Sequence, residues 1–422
     1  MDSTLIMQQF TLIFLAALVL TTGMKLWLGQ RHIRYILAHR DAVPAVFAAE
    51  VNLHDHRKAA DYSTANTRLG FVNVLLDAAV LLAFTLGGGL QLLDGFWSGF
   101  FPSEIARGMA LIFSAVVLAG ITEMPLNYYH TFVIEQRFGF NKMTLGMFIT
   151  DSLKQFFLAA LLGLPLLFAV LWLMQKMGGN WWLYVWLTWM GFNLLVLAIY
   201  PTFIAPLFNK FAPLEEGDLK TRIEALLGKC GFRARGLFVM DGSRRSSHGN
   251  AYFTGFGAAK RIVFFDTLLK ALNPAEIEAV LAHELGHFKR HHIYKRLAWM
   301  FGASLAFLWV LGWLMNNAWF YAGLGVTRQS IGMALILFFW VAPVFTFVLH
   351  PLTSLYSRKH EFEADQYAAQ HTNGKELVRA LVKLYKDNAT TLTPDPLHSA
   401  FYDSHPPAGV RIARLQKMVH NT

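Results

Sequence analysis

Residues 282–315 read AHELGHFKRHHIYKRLAWMFGASLAFLWVLGWLM, two histidines and a glutamate followed at once by an apolar run long enough to enter a bilayer. Just upstream, LNPAEIEAVL (272–281) carries helix-start signals. Asn273 suits an N-cap, Pro274 the first helical position, and Glu276 completes a capping-box spacing. On a helix begun there, His283 and His287 lie one turn apart on one face. Two neutral imidazoles at that spacing can hold Zn²⁺, and Glu284 beside them can take the proton of an attacking water. The pattern also lets this helix run on into the apolar stretch. His291 and His292 are expected at the membrane interface rather than as ligands.

A catalytic zinc takes three protein ligands and keeps one position open. No third histidine follows at the spacing metzincins use. The single cysteine, Cys230, has no thiolate partner and no disulfide partner. A carboxylate is therefore the expected third ligand, and SRKHEFEADQYA (357–368) offers Glu361, Glu363 and Asp365. Glu361 and Asp365, four apart, share a helix face, and Glu363 points elsewhere. Glu361 is read as the ligand and Asp365 as the group that orients a ligand histidine through its other ring nitrogen. SHPPAGVRIARL (404–415) adds His405 and Arg411, either of which can steady the oxyanion formed when water attacks a peptide carbonyl. NAYFTG (250–255) reads as an edge strand, with Asn250, Ala251, Tyr252 and Phe253 placed to pair with an extended peptide.

Composition sets the class. Hydrophobic residues make up 55% of the 422 and charged residues 15%, and the apolar residues come in blocks, which argues for a membrane protein. Seven stretches reach the roughly 20 residues that span a bilayer: 5–28, 71–93, 105–127, 153–175, 181–204, 295–315 and 331–354. The first has no basic residue ahead of it and no A-x-A-like site after it, so it reads as a retained helix rather than a signal peptide. QKMGGN (175–180) implies a tight hairpin between the fourth and fifth, and TLGGGL (85–90) either allows close helix approach or ends a helix. The net charge of +10 comes without a basic stripe or motif for nucleic acid, and no nucleic-acid partner is expected. Arg31, Arg34, Arg40, Arg57, Lys58 and Arg68 crowd the loop after the first span, and residues 206–294 and the tail carry more. The positive-inside rule then puts the N-terminus outside and the C-terminus in the cytoplasm. Asn73, Asp77, Glu123, Asn127 and Asn193 fall within spans and argue for a polar interior.

Residues 206–294 differ in kind. RGLFVMDGS (235–243), NAYFTGFG (250–257) and RIVFFDTLL (261–269) predict a small sheet of about three strands on the cytoplasmic face. The expected division is a membrane domain at 1–205 with five helices. A peptidase domain at 206–422 holds the HExxH helix, the sheet, two further spans and a helical tail.

Together these stretches resemble a known family, the Ste24-type CAAX prenyl proteases, integral-membrane M48 zinc metallopeptidases. YYHTFVIEQRFGFNKMT (128–144) and YPTFIAPLFNKFAPLEEGDLKTRIEAL (200–226) carry the resemblance, with the strand, zinc, EFEADQYA and SHPPAG motifs in the family's order. The resemblance implies a mainly α membrane protein, its seven helices forming a barrel around a large water-filled chamber. A gluzincin-type zinc site, one Zn²⁺ per chain, would sit under a cytosolic roof. It also implies Glu361 as third ligand and makes His405, Arg411 and Asn250 contacts of the substrate or transition state. The expected partners are membrane lipids and peptide or protein substrates, lipidated or membrane-bound. In eukaryotic relatives these include C-terminally prenylated CAAX proteins trimmed of their last three residues. The tail KMVHNT has no dilysine or KDEL-type signal, which favours a bacterial inner membrane over the endoplasmic reticulum. Three rivals stand beside this reading: a membrane-protein quality-control protease without prenyl specificity, a transporter or channel with structural zinc, and a catalytically idle chaperone for membrane segments.

Overall fold

The computed structural model of the chain describes residues 3–232, 235–254 and 260–420. Among the described residues seven helices are long and apolar enough to cross a membrane: α1 (Ser3–Ala38), α2 (Leu53–Phe84), α3 (Glu104–Tyr129), α4 (Leu145–Lys176), α5 (Trp181–Ile199), then, after the sheet, α8 (His292–Leu314) and α9 (Ile331–Thr346). Each packs against the next in chain order, and α9 returns to α1, so the helices close into a barrel. The first half of α9 also reaches α3 and α4, and Gly332–Phe338 is buried on every side. Contact there is close, since a Cβ on Gly332 would lie 2.7 Å from the Cα of Gly108. Small residues let membrane helices approach in this way. Asp77 and Glu123 remain accessible, and lipid rejects such groups.

The span boundaries depart from the sequence reading most at the second helix. The second helix begins at Leu53, where the Asn52 side chain accepts from the Asp55 N–H, and ends at Phe84. TLGGGL therefore ends the helix: Thr85 leaves the helical region at ψ −100°, and Gly88 then takes a φ of +78° that a side chain disfavours. The apolar residues beyond it form a separate short helix at Gly89–Ser98. The tight turn after α4 is present, with Gly178 at φ +58°.

The peptidase part stands on one rim of this barrel. Among the described residues its sheet has four strands in the order β1 (Phe211–Pro213), β2 (Gly236–Met240), β4 (Arg261–Phe265), β3 (Ala251–Thr254). The strand missed by the sequence reading, β1, is three residues long and contains a proline, which fits an edge position. Residues 255–257 of the expected middle strand lie outside the described residues. The other edge, β3, pairs antiparallel with β4 and, among the described residues, with no second strand. Helices α6 (Asp218–Lys229), α7 (Pro274–Lys289), α10 (His350–His371), α11 (Gly374–Asp387), α12 (Pro396–Tyr402) and α13 (Ala408–His420) complete it. Charged groups join it to the barrel. Arg245 grips Asp151 of α4 at 2.8 and 3.2 Å, Arg31 of α1 holds Asp395 at 2.9 and 3.1 Å, and Lys386 meets Asp55 of α2 at 3.1 Å. Asp395 also caps α12, so the tail segment is anchored to the first membrane helix.

Candidate active site

The site is built where α7 crosses α10. Asn273 and Glu276 form the capping box the sequence predicts, with reciprocal bonds of 2.9 and 2.8 Å, which fixes the start of α7 and the phase of its histidines. Gly286, between them, lies directly against α10: a Cβ there would sit 2.9 Å from the Cα of Ala364 and 3.0 Å from its carbonyl oxygen. The missing side chain lets the two helices approach until their polar faces meet.

At that crossing one ligand-type atom from each of His283, His287 and Glu361 lies within 4.8 Å of the others. The Nε2 atoms of the two histidines are 3.2 Å apart. Glu361 Oε1 is 3.3 Å from His287 Nε2, and Oε2 is 3.5 Å from His283 Nε2. Glu361 Oε2 is buried with no hydrogen-bond partner, a costly state unless a cation compensates it. Two imidazole nitrogens and a carboxylate match the donor set of a catalytic zinc.

The other ring nitrogens are all committed. Nδ1 of His283 faces Asp365 Oδ1 at 2.9 Å. Nδ1 of His287 meets Nδ1 of His292 at 3.0 Å, and Nε2 of His292 meets Glu363 Oε2 at 2.9 Å. Because Glu363 accepts, His292 Nε2 carries the proton and its Nδ1 must accept from His287. That leaves the Nε2 lone pair of His287 facing the centre, an assignment read from the network. Burial and the Arg411 charge act to lower the His283 pKa, but hydrogen bonds to Asp365 and Glu361 outweigh them and raise it to about 9. A metal taken up there must therefore displace a proton.

His292 is the main departure from the sequence reading, which placed it at the interface. It is 1% exposed and stacks on His360 at 4.0 Å. The reason is a break in the helix: α7 ends at Lys289, and His291 takes the left-handed conformation at φ +58° before α8 begins. On an unbroken helix His292 would sit about 140° around the axis from His287. The turn at His291 brings it back. Glu363 does point away from Glu361, and it does so to hold His292.

Arg411 is 5% exposed and clamps Asp365 with Nε and Nη2, both at 2.7 Å. Burial opposes its charge, but the Asp365 carboxylate more than offsets this and holds the guanidinium pKa above its ordinary value. Nη2 packs 3.1 Å from His283 Nδ1, and Nη1 lies 3.6 Å from Glu361 Oε2. His405 is the accessible member: its side chain is 61% exposed, with Nε2 3.5 Å from Glu361 Oε1. Glu284 is half-buried, and among the described residues no ion pair engages it. Asn250, at the start of the free edge, is exposed; its carbonyl accepts from the Phe265 N–H and its side-chain oxygen from the Ala251 N–H.

Comparison with known proteins agrees with this architecture. Residues 32–210 match the family model described as the CAAX prenyl protease N-terminal region with five membrane helices, and residues 213–419 match peptidase family M48. The chain is 40% identical over 360 residues to CAAX prenyl protease 1 homolog of Arabidopsis thaliana, covering 82% of each. It is 33% identical over 402 residues to CAAX prenyl protease 1 of Saccharomyces cerevisiae, covering 88% of each, and 31% identical over 455 residues to the Homo sapiens homolog, covering 96% of each. The crystal structure of S. mikatae Ste24p superimposes with a TM-score of 0.88 at 32% identity, covering 96% of this chain and 98% of that one. The chain therefore belongs to the CAAX prenyl protease 1 (Ste24) family of membrane-embedded M48 metallopeptidases.

Proposed function

We propose that this peptidase is zinc-dependent and that it cuts CAAX-type proteins, prenylated near the C-terminus, with His283, His287 and Glu361 as the metal ligands. The observation that carries the reading is the buried triad, in which Glu361 Oε2 makes no hydrogen bond, next in the chain to Glu284, which no ion pair engages among the described residues. Zinc held there supplies a Lewis acid that polarises the scissile carbonyl and acidifies water. Glu284 takes the proton of the attacking water and delivers it to the leaving amine. His405, accessible from the cavity, donates to the developing oxyanion, and Arg411 adds positive potential from behind it. Asp365 orients His283, with Arg411 fixing the carboxylate in turn. The β3 edge from Asn250 to Phe253 pairs with the extended substrate backbone.

On this reading residues 1–205 form the membrane part and 206–422 the peptidase part, which borrows two spans. The N-terminus lies outside and the C-terminus in the cytosol, a reading that rests on the positive-inside rule alone. The relatives named above are eukaryotic, which gives a bacterial inner membrane no support. The substrate class comes from the names those relatives carry. Membership of a peptidase family sets aside the transporter reading, and a structural zinc would in any case use a fourth protein ligand.

The test is cleavage of a farnesylated CAAX peptide and its unfarnesylated twin by the purified, bilayer-reconstituted chain, with products identified by mass. Loss of the last three residues from the farnesylated peptide, with the twin cut more slowly, is expected. Equal cleavage of both at scattered positions would support the quality-control reading instead.

A further inference from the structure

Two cavities adjoin next to His405, whose ring faces Glu361. One, of about 640 Å³, is lined by polar groups that include His405, Arg411, Tyr385 and Asn388. The other, of about 670 Å³, opens between α8, α10 and α12. Tyr402 and Ser404 line both, and the next residue, His405, faces Glu361. A peptide that passes His405 can therefore extend from one cavity into the other.

The second cavity has a distinctive chemistry. Trp299, Leu352, Tyr356 and Phe401 give it an apolar wall, and Arg296 stands in the lining with no aspartate or glutamate beside it. Among the described residues no carboxylate pairs with Arg296, whereas most arginines around the site are engaged, Arg411 with Asp365 and Arg358 with Ser399. An apolar wall ending in an unpaired guanidinium suits an apolar segment that ends in a carboxylate. Arginine binds carboxylates through a planar fork that lysine lacks.

Distance supports the same match. The Arg296 backbone lies one helical turn beyond that of His292, a rise of about 6 Å against a tripeptide's span of about 10 Å, and the His292 ring touches the metal ligand His287.

We propose that this cleft receives the departing C-terminal tripeptide of the substrate, with Arg296 binding its free α-carboxylate and the apolar wall taking the two aliphatic side chains. The proposal rests on the CAAX reading above and adds to it a ruler: the cut falls three residues from the end because the end is anchored. A lipid tail in the same cleft is the competing occupant, and the experiment separates the two.

The full chain in lipid nanodiscs is given farnesylated peptides ending in Cys-aliphatic-aliphatic-X as the free acid and as the C-terminal amide. The parent is expected to favour the acid by about tenfold to a hundredfold, mainly in KM, the range of one charge-assisted bond. Arg296→Gln should bring acid and amide within about threefold of each other, and Arg296→Lys should restore part of the preference. Binding of both peptides to the Glu284→Gln protein, read by fluorescence anisotropy, repeats the comparison without turnover. Acid and amide bound alike by the parent, or a full preference kept by Arg296→Gln, would overturn the proposal. So would an Arg296→Gln protein that loses its preference for the farnesylated over the unfarnesylated peptide while keeping that for the acid. If the parent cuts no CAAX peptide, the functional reading fails, and the anisotropy comparison still decides whether the cleft takes a carboxylate.

Discussion

Replacing His292 by alanine isolates the part of the metal site that the two-histidine motif does not show. The ring bridges His287 Nδ1 and Glu363 Oε2 at 3.0 and 2.9 Å and is 1% exposed. Without it, the Nδ1–H of His287 loses its acceptor in a buried pocket, and the ring is free to rotate its Nε2 off the centre. Glu363 is 30% exposed and recovers a partner from water, so most of the loss falls on the metal. Removing such a supporting group costs about 10- to 100-fold in metal affinity, or about 1.4–2.8 kcal/mol. The assay is competition for zinc against a chromophoric chelator, run on parent, His292→Ala and His291→Asn. The last is an exposed neighbour whose left-handed backbone asparagine tolerates, and it should bind zinc as the parent does. A thermal melt of the zinc-free proteins checks that His292→Ala is folded. If the folded variant holds zinc within about twofold of the parent, well under the 10- to 100-fold loss expected of a supporting group, the relay from His287 to Glu363 has no role in the site.

Gly286→Ala should push α7 off α10, since the new methyl meets backbone atoms at 2.9 and 3.0 Å. Overpacking of this kind costs about 1–3 kcal/mol, so the variant should melt earlier and retain less metal, both readable on purified protein. Metal binding should release protons. With the His283 pKa raised to about 9, zinc affinity should weaken by up to about tenfold for each pH unit below that value, which calorimetry in two buffers of different ionisation enthalpy detects. The sign reverses for the metal-free protein. Its charged His283 contributes stability that is complete below the unfolded value near 6.5 and lost as pH rises through about 9, so the metal-free melting temperature should fall across that window.

Much of this architecture is readable from local pattern, and the exceptions have identifiable causes. The HExxH helix declares itself because the Asn273–Glu276 box and the His283–His287 spacing are both short-range features. Glu361 and Asp365 are legible as a pair because they share a face of one helix. The sequence reading carries the second span past its end because the apolar residues beyond Gly88 look like a continuation; the break shows only in backbone angles, ψ −100° at Thr85 and φ +78° at Gly88. His292 was missed for the same kind of reason. Nothing in FKRHH announces a left-handed residue, since neither glycine nor asparagine stands at 291, and that single backbone angle decides where the next ring points. The partnership of Arg411 with Asp365 and the joints from Arg245 to Asp151 and Arg31 to Asp395 link residues 46, 94 and 364 apart. No local periodicity encodes pairs of that separation.

The central claim is that a metal held by His283, His287 and Glu361, with Glu284 as base, cuts the peptide bond. The direct measurement is cleavage of a farnesylated CAAX peptide by the reconstituted chain before chelation, after it, and after zinc is restored, with Glu284→Gln run alongside at matched metal content. The account predicts loss of cleavage on chelation, recovery with zinc, and a Glu284→Gln protein that binds one zinc and does not cut. Cleavage at the parent rate by Glu284→Gln, or by the chelated chain, would contradict it.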